Sequence, residues 1–145
     1  MPFFVSNKNA KEKIAFLVPT ITYLAYGNER VLFAGIDFSG LTNIPIVVDP
    51  YDDFLGDNLA EYGGSIYDVH SDGTGICYST ARRPIVNMRP KHRHWVHSCP
   101  RKLSFDLYLI DWLEEKGFSY DVITDHDLHK SGHEPVSYTH LTLPT

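Results

Sequence analysis

Apolar residues in this chain come in short bursts separated by caps and turns, and the bursts change period from one stretch to the next. Lys13–Val18 (KIAFLV) is nearly continuous in apolar character and ends at Pro19-Thr20, the pattern of a buried strand running out into a loop. A second strand is predicted over Val31–Ile36. Asp49-Pro50, followed by Tyr51, Asp52 and Asp53, puts a cap, an N1 proline and acids in the order that starts a short helix. Ser71–Gly75 reads as a turn between the strand-like stretches Ser65–Val69 and Ile76–Tyr78. The clearest periodicity lies in Phe105–Lys116, where Phe105, Leu109, Trp112 and Leu113 share one helical face and Asp111, Glu114 and Glu115 turn to water. Gly117 caps that helix, and Phe118–Ile123 follows as a strand. Thr124-Asp125-His126-Asp127-Leu128-His129 opens another helix with a good cap and an acidic first turn, which Ser131-Gly132 and Pro135 stop. Helix, glycine, strand, aspartate, helix is the rhythm of an α/β fold with a doubly wound, mostly parallel sheet.

The two ends depart from this rhythm. Met1–Val5 opens on an apolar run without a cap, as an interior segment or a short edge strand would. Val136–Thr145 carries no charged residue, and Val136–Leu141 (VSYTHL) resembles the translation of a transposon-based sequencing adapter. The expectation is a truncated natural sequence over residues 1–135, joined to a non-native tail over 136–145 that touches the domain little. The alternative is a real edge strand, since Val136 and Tyr138 alternate with Ser137 and Thr139.

Composition narrows the class. In 145 residues, 43% are apolar and 21% charged, the makeup of a globular chain. A net charge of −5 with scattered basic residues argues against a nucleic-acid surface. The longest apolar runs fall far short of a membrane span, and the N-terminus lacks the order of a signal peptide. Cys77 and Cys99 lack CxxC spacing, so reduced thiols and a cytoplasmic setting are expected, with both side chains serving as small buried apolar groups.

Ligands of such sheets sit beyond the carboxyl ends of strands, which singles out the loops Pro19–Asn28 and Thr124–His129. No nucleophile elbow, dinucleotide fingerprint, P-loop or HExxH motif is present. His92, His94 and His97 form HxHxxH among Arg89, Lys91, Arg93 and Arg101; those cations would repel a divalent ion, so a solvated basic loop or an anion contact is expected. His126, His129 and His133 share a helix face, read as surface. His70 differs, because it lies in the polar, turn-rich stretch Tyr67–Gly75, and loops carry function. Nine tyrosines are the other excess; Tyr23 and Tyr26 fall in the loop after the first strand, where core and rim roles compete with a functional one.

PTITYLAYGNER (Pro19–Arg30), GSIYDVHSDGTGICYS (Gly64–Ser79), RRPIVNMRP (Arg82–Pro90) and DLYLIDWLEEKGFSYDVITDHDLH (Asp106–His129) together resemble the large (beta) subunit of N,N-dimethylformamidase in its C-terminal catalytic domain. The resemblance covers nearly everything from Pro2 to Glu134. It implies a class I glutamine-amidotransferase-like α/β domain, present here as a fragment, and an iron-dependent amidohydrolase that cleaves N-substituted formamides to formate and amine. It further implies a mononuclear non-haem Fe(III) held by two tyrosine phenolates and one glutamate. Matched motif to motif, Tyr67 is one ligand and Tyr26 the other, with Tyr23 the alternative; the glutamate would lie beyond Glu134. A phenol is a poor ligand until a hard, highly charged ion displaces its proton, which is what a ferric ion does. His70 is the candidate acid or positioning group for the departing amine, against a purely structural role in ordering its turn. Asn28 is a candidate for binding a formyl oxygen, or simply a helix cap. The partners implied are a small amide substrate, a small alpha subunit and further copies of the large one, with no nucleic acid and no membrane. A non-catalytic or carbohydrate-associated module of the same fold is the competing reading.

Overall fold

The computed structural model describes residues 3–5, 7, 11–30, 40, 43 and 45–131, and residues 140–142 by their backbone. The strand predicted at Val31–Ile36, His133, and residues 132–139 and 143–145 lie outside the described residues. The chain divides into two compact units: one spans Tyr23–Phe105, and the other joins the segment ending at Thr22 to the segment beginning at Asp106.

The second unit carries a parallel sheet of three strands in the order β4-β1-β5, formed by β1 (Ile14–Val18), β4 (Asp121–Thr124) and β5 (His140–Thr142). β1 pairs in register with β4 from Ala15 opposite Asp121 to Val18 opposite Thr124, and Ile14–Phe16 pairs with β5 on its other edge. A central parallel strand is covered on both faces, and Ala15, Phe16, Leu17 and Val18 are all buried, as the unbroken apolar run predicts. Ala15, Leu17 and Ile123 form the core here, with Leu128 packed against them. The tail was expected to touch the domain little; the backbone of its residues 140–142 pairs with β1 as β5. Phe3–Val5 forms no strand.

Asp121, buried at the start of β4, gathers the N-terminal segment: it accepts from Asn7 Nδ2 at 3.0 Å and from the backbone N–H groups of Lys11 and Glu12 at 3.1 and 3.0 Å. At the other end of the strands, the expected loop Pro19–Asn28 is in fact a helix, α1 (Thr20–Ala25), followed by a turn. Asp125 accounts for it. Its carboxylate accepts the Ile21 N–H at 3.0 and 2.9 Å and the Thr20 hydroxyl, supplying from the far end of the chain the cap that Pro19 cannot. The expected loop Thr124–His129 is likewise a helix start. α5 (Asp125–Lys130) opens with a capping box between Thr124 and Asp127, as its sequence predicts.

α4 (Leu103–Glu115) begins two residues earlier than predicted, and the division of the chain into units falls after its Phe105. It ends in a Schellman arrangement: Gly117, at φ 70°, donates to Glu114 O and Phe118 N–H reaches Leu113 O. Its buried face is the expected one only in part. Leu103, Asp106 and Leu113 are buried, whereas Phe105 and Trp112 are 49% and 46% exposed. Trp112 leans on Phe118 at 5.6 Å instead.

The first unit holds α2 (Pro50–Asp57), capped by Asp49 and Asp52 as its sequence predicts, then α3 (Leu59–Tyr62) and a two-residue antiparallel pair, β2 (Arg93–His94) with β3 (Cys99–Pro100). The strand-like stretches Ser65–Val69 and Ile76–Tyr78 form no ladder. A single bridge joins Val69 to Gly75 around the predicted turn, and Ser65–Asp68 is itself a turn. Among the described residues no helix is long and apolar enough to cross a membrane.

Candidate functional site

Tyr26 and Tyr67 meet in the first unit, and the backbone around each explains why. Tyr26 follows α1 in a turn that Asn28 locks. Asn28 is fully buried at φ 59°, a left-handed conformation that asparagine tolerates better than most residues. Its Nδ2 donates to Tyr62 O at 3.1 Å and Pro84 O at 2.8 Å, its Oδ1 accepts Val86 N–H at 2.8 Å, and its own N–H goes to Asn87 Oδ1 at 2.9 Å. Asn87 Nδ2 then holds Tyr26 O at 2.9 Å. With both amide atoms engaged by backbone, Asn28 is neither a helix cap nor a contact for a formyl oxygen.

Tyr67 is set by Asp68, which is buried and accepts Ser65 N–H at 2.5 Å and Arg30 N–H at 3.0 Å. Gly64 is needed beside it, because a Cβ there would sit 2.7 Å from Asp68 Oδ2. Ser65 Oγ accepts Tyr67 N–H at 3.1 Å, and Ile66 N–H reaches Ala25 O at 3.2 Å, tying the two tyrosine turns together.

The two rings stack with centroids 4.3 Å apart and planes 17° from parallel. Tyr26 is half-buried and Tyr67 is 49% exposed, so the pair has one side open to solvent. The Tyr26 phenol is pushed above its ordinary value, first by its hydrogen bond with Tyr67 and then by burial, while Arg101 pulls the other way. Tyr23, the alternative ligand, is 4% exposed. It is a core aromatic; Tyr26 is the one brought to Tyr67.

A buried ionic cluster borders Tyr26. Glu29 Oε1 lies 2.6 Å from His94 Nε2 and its Oε2 lies 3.0 Å from Lys102 Nζ. Burial works to raise the Glu29 carboxyl, but the His94 hydrogen bond and the Lys102 charge together hold it down at about 2. Lys102 is lowered to about 8 by burial, against the pull of Glu29. Val96 N–H donates to His94 Nδ1 at 3.2 Å, which leaves the ring proton on Nε2, facing Glu29. Arg101 Nη1, 2.9 Å from the same nitrogen, is then a contact between two donors and not a hydrogen bond. Lys102 Nζ lies 4.2 Å and Arg101 Cζ 5.0 Å from the Tyr26 ring centroid, both within cation–π range.

Other candidates are placed differently from expectation. His92 and His94 are buried, so HxHxxH is no solvated loop; only His97 is exposed, at φ 58° in the β2–β3 turn. His92 is lowered to about 4, chiefly by burial and by Arg89 and Lys102. Cys77 and Cys99 are exposed, each bonded weakly to a nearby carbonyl, rather than buried. His70 is exposed, and its backbone N–H and C=O, bonded to Thr74 O and Gly73 N, close the turn. In the other unit His126 Nδ1 lies 2.5 Å from Thr20 Oγ1, within the Asp125 cap.

Two phenols with converging hydroxyls suit a hard trivalent cation, and cations along one ring suit the negative charge such ligands carry. In that respect the residues fit the ferric centre that the family resemblance implies. Among the described residues no three His, Cys, Asp or Glu side chains group as a metal site. The cluster of Glu29, His94 and Lys102 has no short-range signature: a charged residue buried with its partners reads, in sequence, like any surface charge.

The chain matches the family described as N,N-dimethylformamidase beta subunit-like, C-terminal, over residues 1–144. It is 44% identical over 134 residues to the N,N-dimethylformamidase beta subunit of Paracoccus aminophilus, an alignment covering 91% of this chain and 18% of that protein. It is 43% identical over 136 residues to the N,N-dimethylformamidase beta subunit of an Alcaligenes species, covering 92% and 18%. The chain thus spans less than a fifth of the length of these relatives. It belongs to the N,N-dimethylformamidase beta subunit-like C-terminal family.

Proposed function

We propose that this chain is the part of an iron-dependent amidohydrolase that supplies two phenolate ligands, Tyr26 and Tyr67, to a mononuclear non-haem Fe(III). The substrates are N-substituted formamides of the N,N-dimethylformamide kind, and the products formate and an amine. The observation that carries the reading is the stacked pair itself, whose phenols are hydrogen-bonded to each other on a half-open surface. The parallel order β4-β1-β5 supports the wider reading of a doubly wound, glutamine-amidotransferase-like domain. A carboxylate from elsewhere in the full-length protein completes the ligand set, and a small alpha subunit accompanies it.

When bound, ferric iron supplies Lewis acidity that polarises an amide carbonyl and makes water a better nucleophile at neutral pH. Tyr26 and Tyr67 offset part of the 3+ charge, and the exposed side of Tyr67 leaves a small planar amide room to approach. Hydrolysis adds water to the carbonyl carbon, breaks the C–N bond and leaves the nitrogen needing a proton. His70, exposed in the turn after Tyr67, is the proposed donor, an imidazole being suited to proton transfer near neutral pH.

The test is a chimera in which this chain replaces its matching segment in the Paracoccus aminophilus beta subunit. The chimera should be coloured by phenolate-to-iron charge transfer and release formate from N,N-dimethylformamide. Tyr26→Phe and Tyr67→Phe should each shift or bleach the band and lower iron content. His70→Gln should lower turnover at unchanged iron content. The 145-residue chain alone should bind ferric ion weakly and show no turnover. An active, colourless chimera containing zinc would overturn the proposal.

A further inference from the structure

Glu29 is buried, charged and unused by the chemistry proposed above. Both of its oxygens are engaged, one by His94 at 2.6 Å and the other by Lys102 at 3.0 Å. Lys102 in turn adopts φ 60°, a left-handed conformation uncommon outside glycine, and its side chain is 4% exposed. Such strain in a buried, charged residue persists only where its surroundings hold it. The ammonium lies over the Tyr26 ring at 4.2 Å from the centroid. Tyr67 stacked at 4.3 Å fills one face of that ring, so Lys102 takes the other. Arg101, whose backbone N–H is pinned by Ser104 Oγ at 2.9 Å, adds a second cation at 5.0 Å.

We infer that Lys102, locked in place by Glu29, is a positioning residue: it clamps the Tyr26 ring against Tyr67 and lays positive charge on the face of a metal-ligating phenol. The inference rests on the reading of Tyr26 as a ligand and goes beyond it, because Lys102 and Glu29 are outside the proposed ligand set and act through the Tyr26 ring. A ring whose oxygen carries negative charge attracts a cation on its face more strongly than a neutral phenol does. The clamp therefore favours the ligand state of Tyr26 and spares the site the cost of ordering a free ring.

The test uses the 145-residue chain. Lys102→Met and Tyr26→Leu are made singly and together, and urea unfolding gives the coupling between them. The expected coupling is about 3- to 30-fold in the unfolding equilibrium constant, the range of a desolvated cation–π contact. Lys102→Met leaves Glu29 half-paired and can unfold the chain, so the cycle is repeated in a Glu29→Gln background, where Lys102→Met strands no carboxylate. Lys102→Arg should restore most of the coupling. In a ferric titration of the chimera, Lys102→Met should weaken binding by a similar factor and move the phenolate-to-iron band to longer wavelength, because the donor orbital loses a nearby positive charge. A purely structural lysine would not move the band. Multiplicative effects in both cycles, or a band unmoved in Lys102→Met, would overturn the inference. Coupling in the chain, with a chimera that takes up no ferric ion, would keep the clamp and sink the ligand reading; ferric binding by the chimera without coupling would do the reverse.

Discussion

Replacing Asn28 by alanine should be among the most damaging single changes in the first unit, although Asn28 touches no proposed reacting group. Its side chain is fully buried and makes three hydrogen bonds to backbone, at Tyr62 O, Pro84 O and Val86 N. Tyr62 O keeps a second partner in Arg83 Nη1 at 3.1 Å, so Asn28→Ala strands chiefly Pro84 O and Val86 N–H. A buried polar group left unpaired costs about 1–3 kcal/mol. Alanine at φ 59° adds about 1 kcal/mol of left-handed strain, giving about 3–7 kcal/mol in all for the two stranded groups and the strain. Asn28→Gly loses the same bonds without the strain, so it should be about 1 kcal/mol more stable than Asn28→Ala despite being smaller. Asn28→Asp, nearly isosteric, should do no better than alanine, because it brings no donor to two carbonyl oxygens. Urea unfolding followed by Trp95 fluorescence and far-UV circular dichroism reads these differences as a midpoint shift of roughly 2 M, taking a urea slope of about 2 kcal/mol per molar. Asn28→Ala within about 1 kcal/mol of the parent, or less stable Asn28→Gly than Asn28→Ala, would refute the account of this turn.

Acid should unfold the chain in two overlapping steps. His92 is held neutral at about 4 against an ordinary 6.5, so the unfolded chain binds the extra proton and stability falls as pH drops through that window. Glu29, held at about 2 against 4.5, contributes stability that is present above 4.5 and lost as pH falls toward 2. Each contributes at most about 3 kcal/mol, and His92→Gln should flatten the upper limb alone in a stability-versus-pH curve. Gly64→Ala drives a Cβ into Asp68 Oδ2 and should cost about 1–3 kcal/mol while changing the near-UV signal of the tyrosine pair; an unchanged spectrum and stability would remove Asp68 from its role in setting Tyr67. Asp125→Ala uncaps α1 from outside and should lower stability by about 1–2 kcal/mol, with helix loss seen by hydrogen exchange at Ile21.

Where order rests on neighbours in the chain, the sequence was enough. Asp49 with Asp52, and Thr124 with Asp127, close capping boxes within one helical turn, and Gly117 supplies the positive φ that ends α4. β1 is legible because a central parallel strand must be apolar on both faces. The turn at Ser71–Gly75 is equally local. So is the family, whose motifs lie in continuous stretches.

Where order rests on partners far along the chain, only the tertiary structure decided. Six residues from Thr20 form a helix because Asp125 caps them from the far end of the chain. Cys77 and Cys99 carry the composition of buried residues and yet are exposed, because side-chain type alone does not place a loop. α4 buries Leu103 and Leu113 and leaves Phe105 and Trp112 half exposed, a rotation that periodicity, insensitive to what packs where, does not report. Tyr26 is distinguished from Tyr23 by the ring it meets, and His94 and Lys102 are interior because one carboxylate, Glu29, takes both. A buried charge has no period and no local spacing. Its burial follows from pairing, and pairing exists only once the chain has folded.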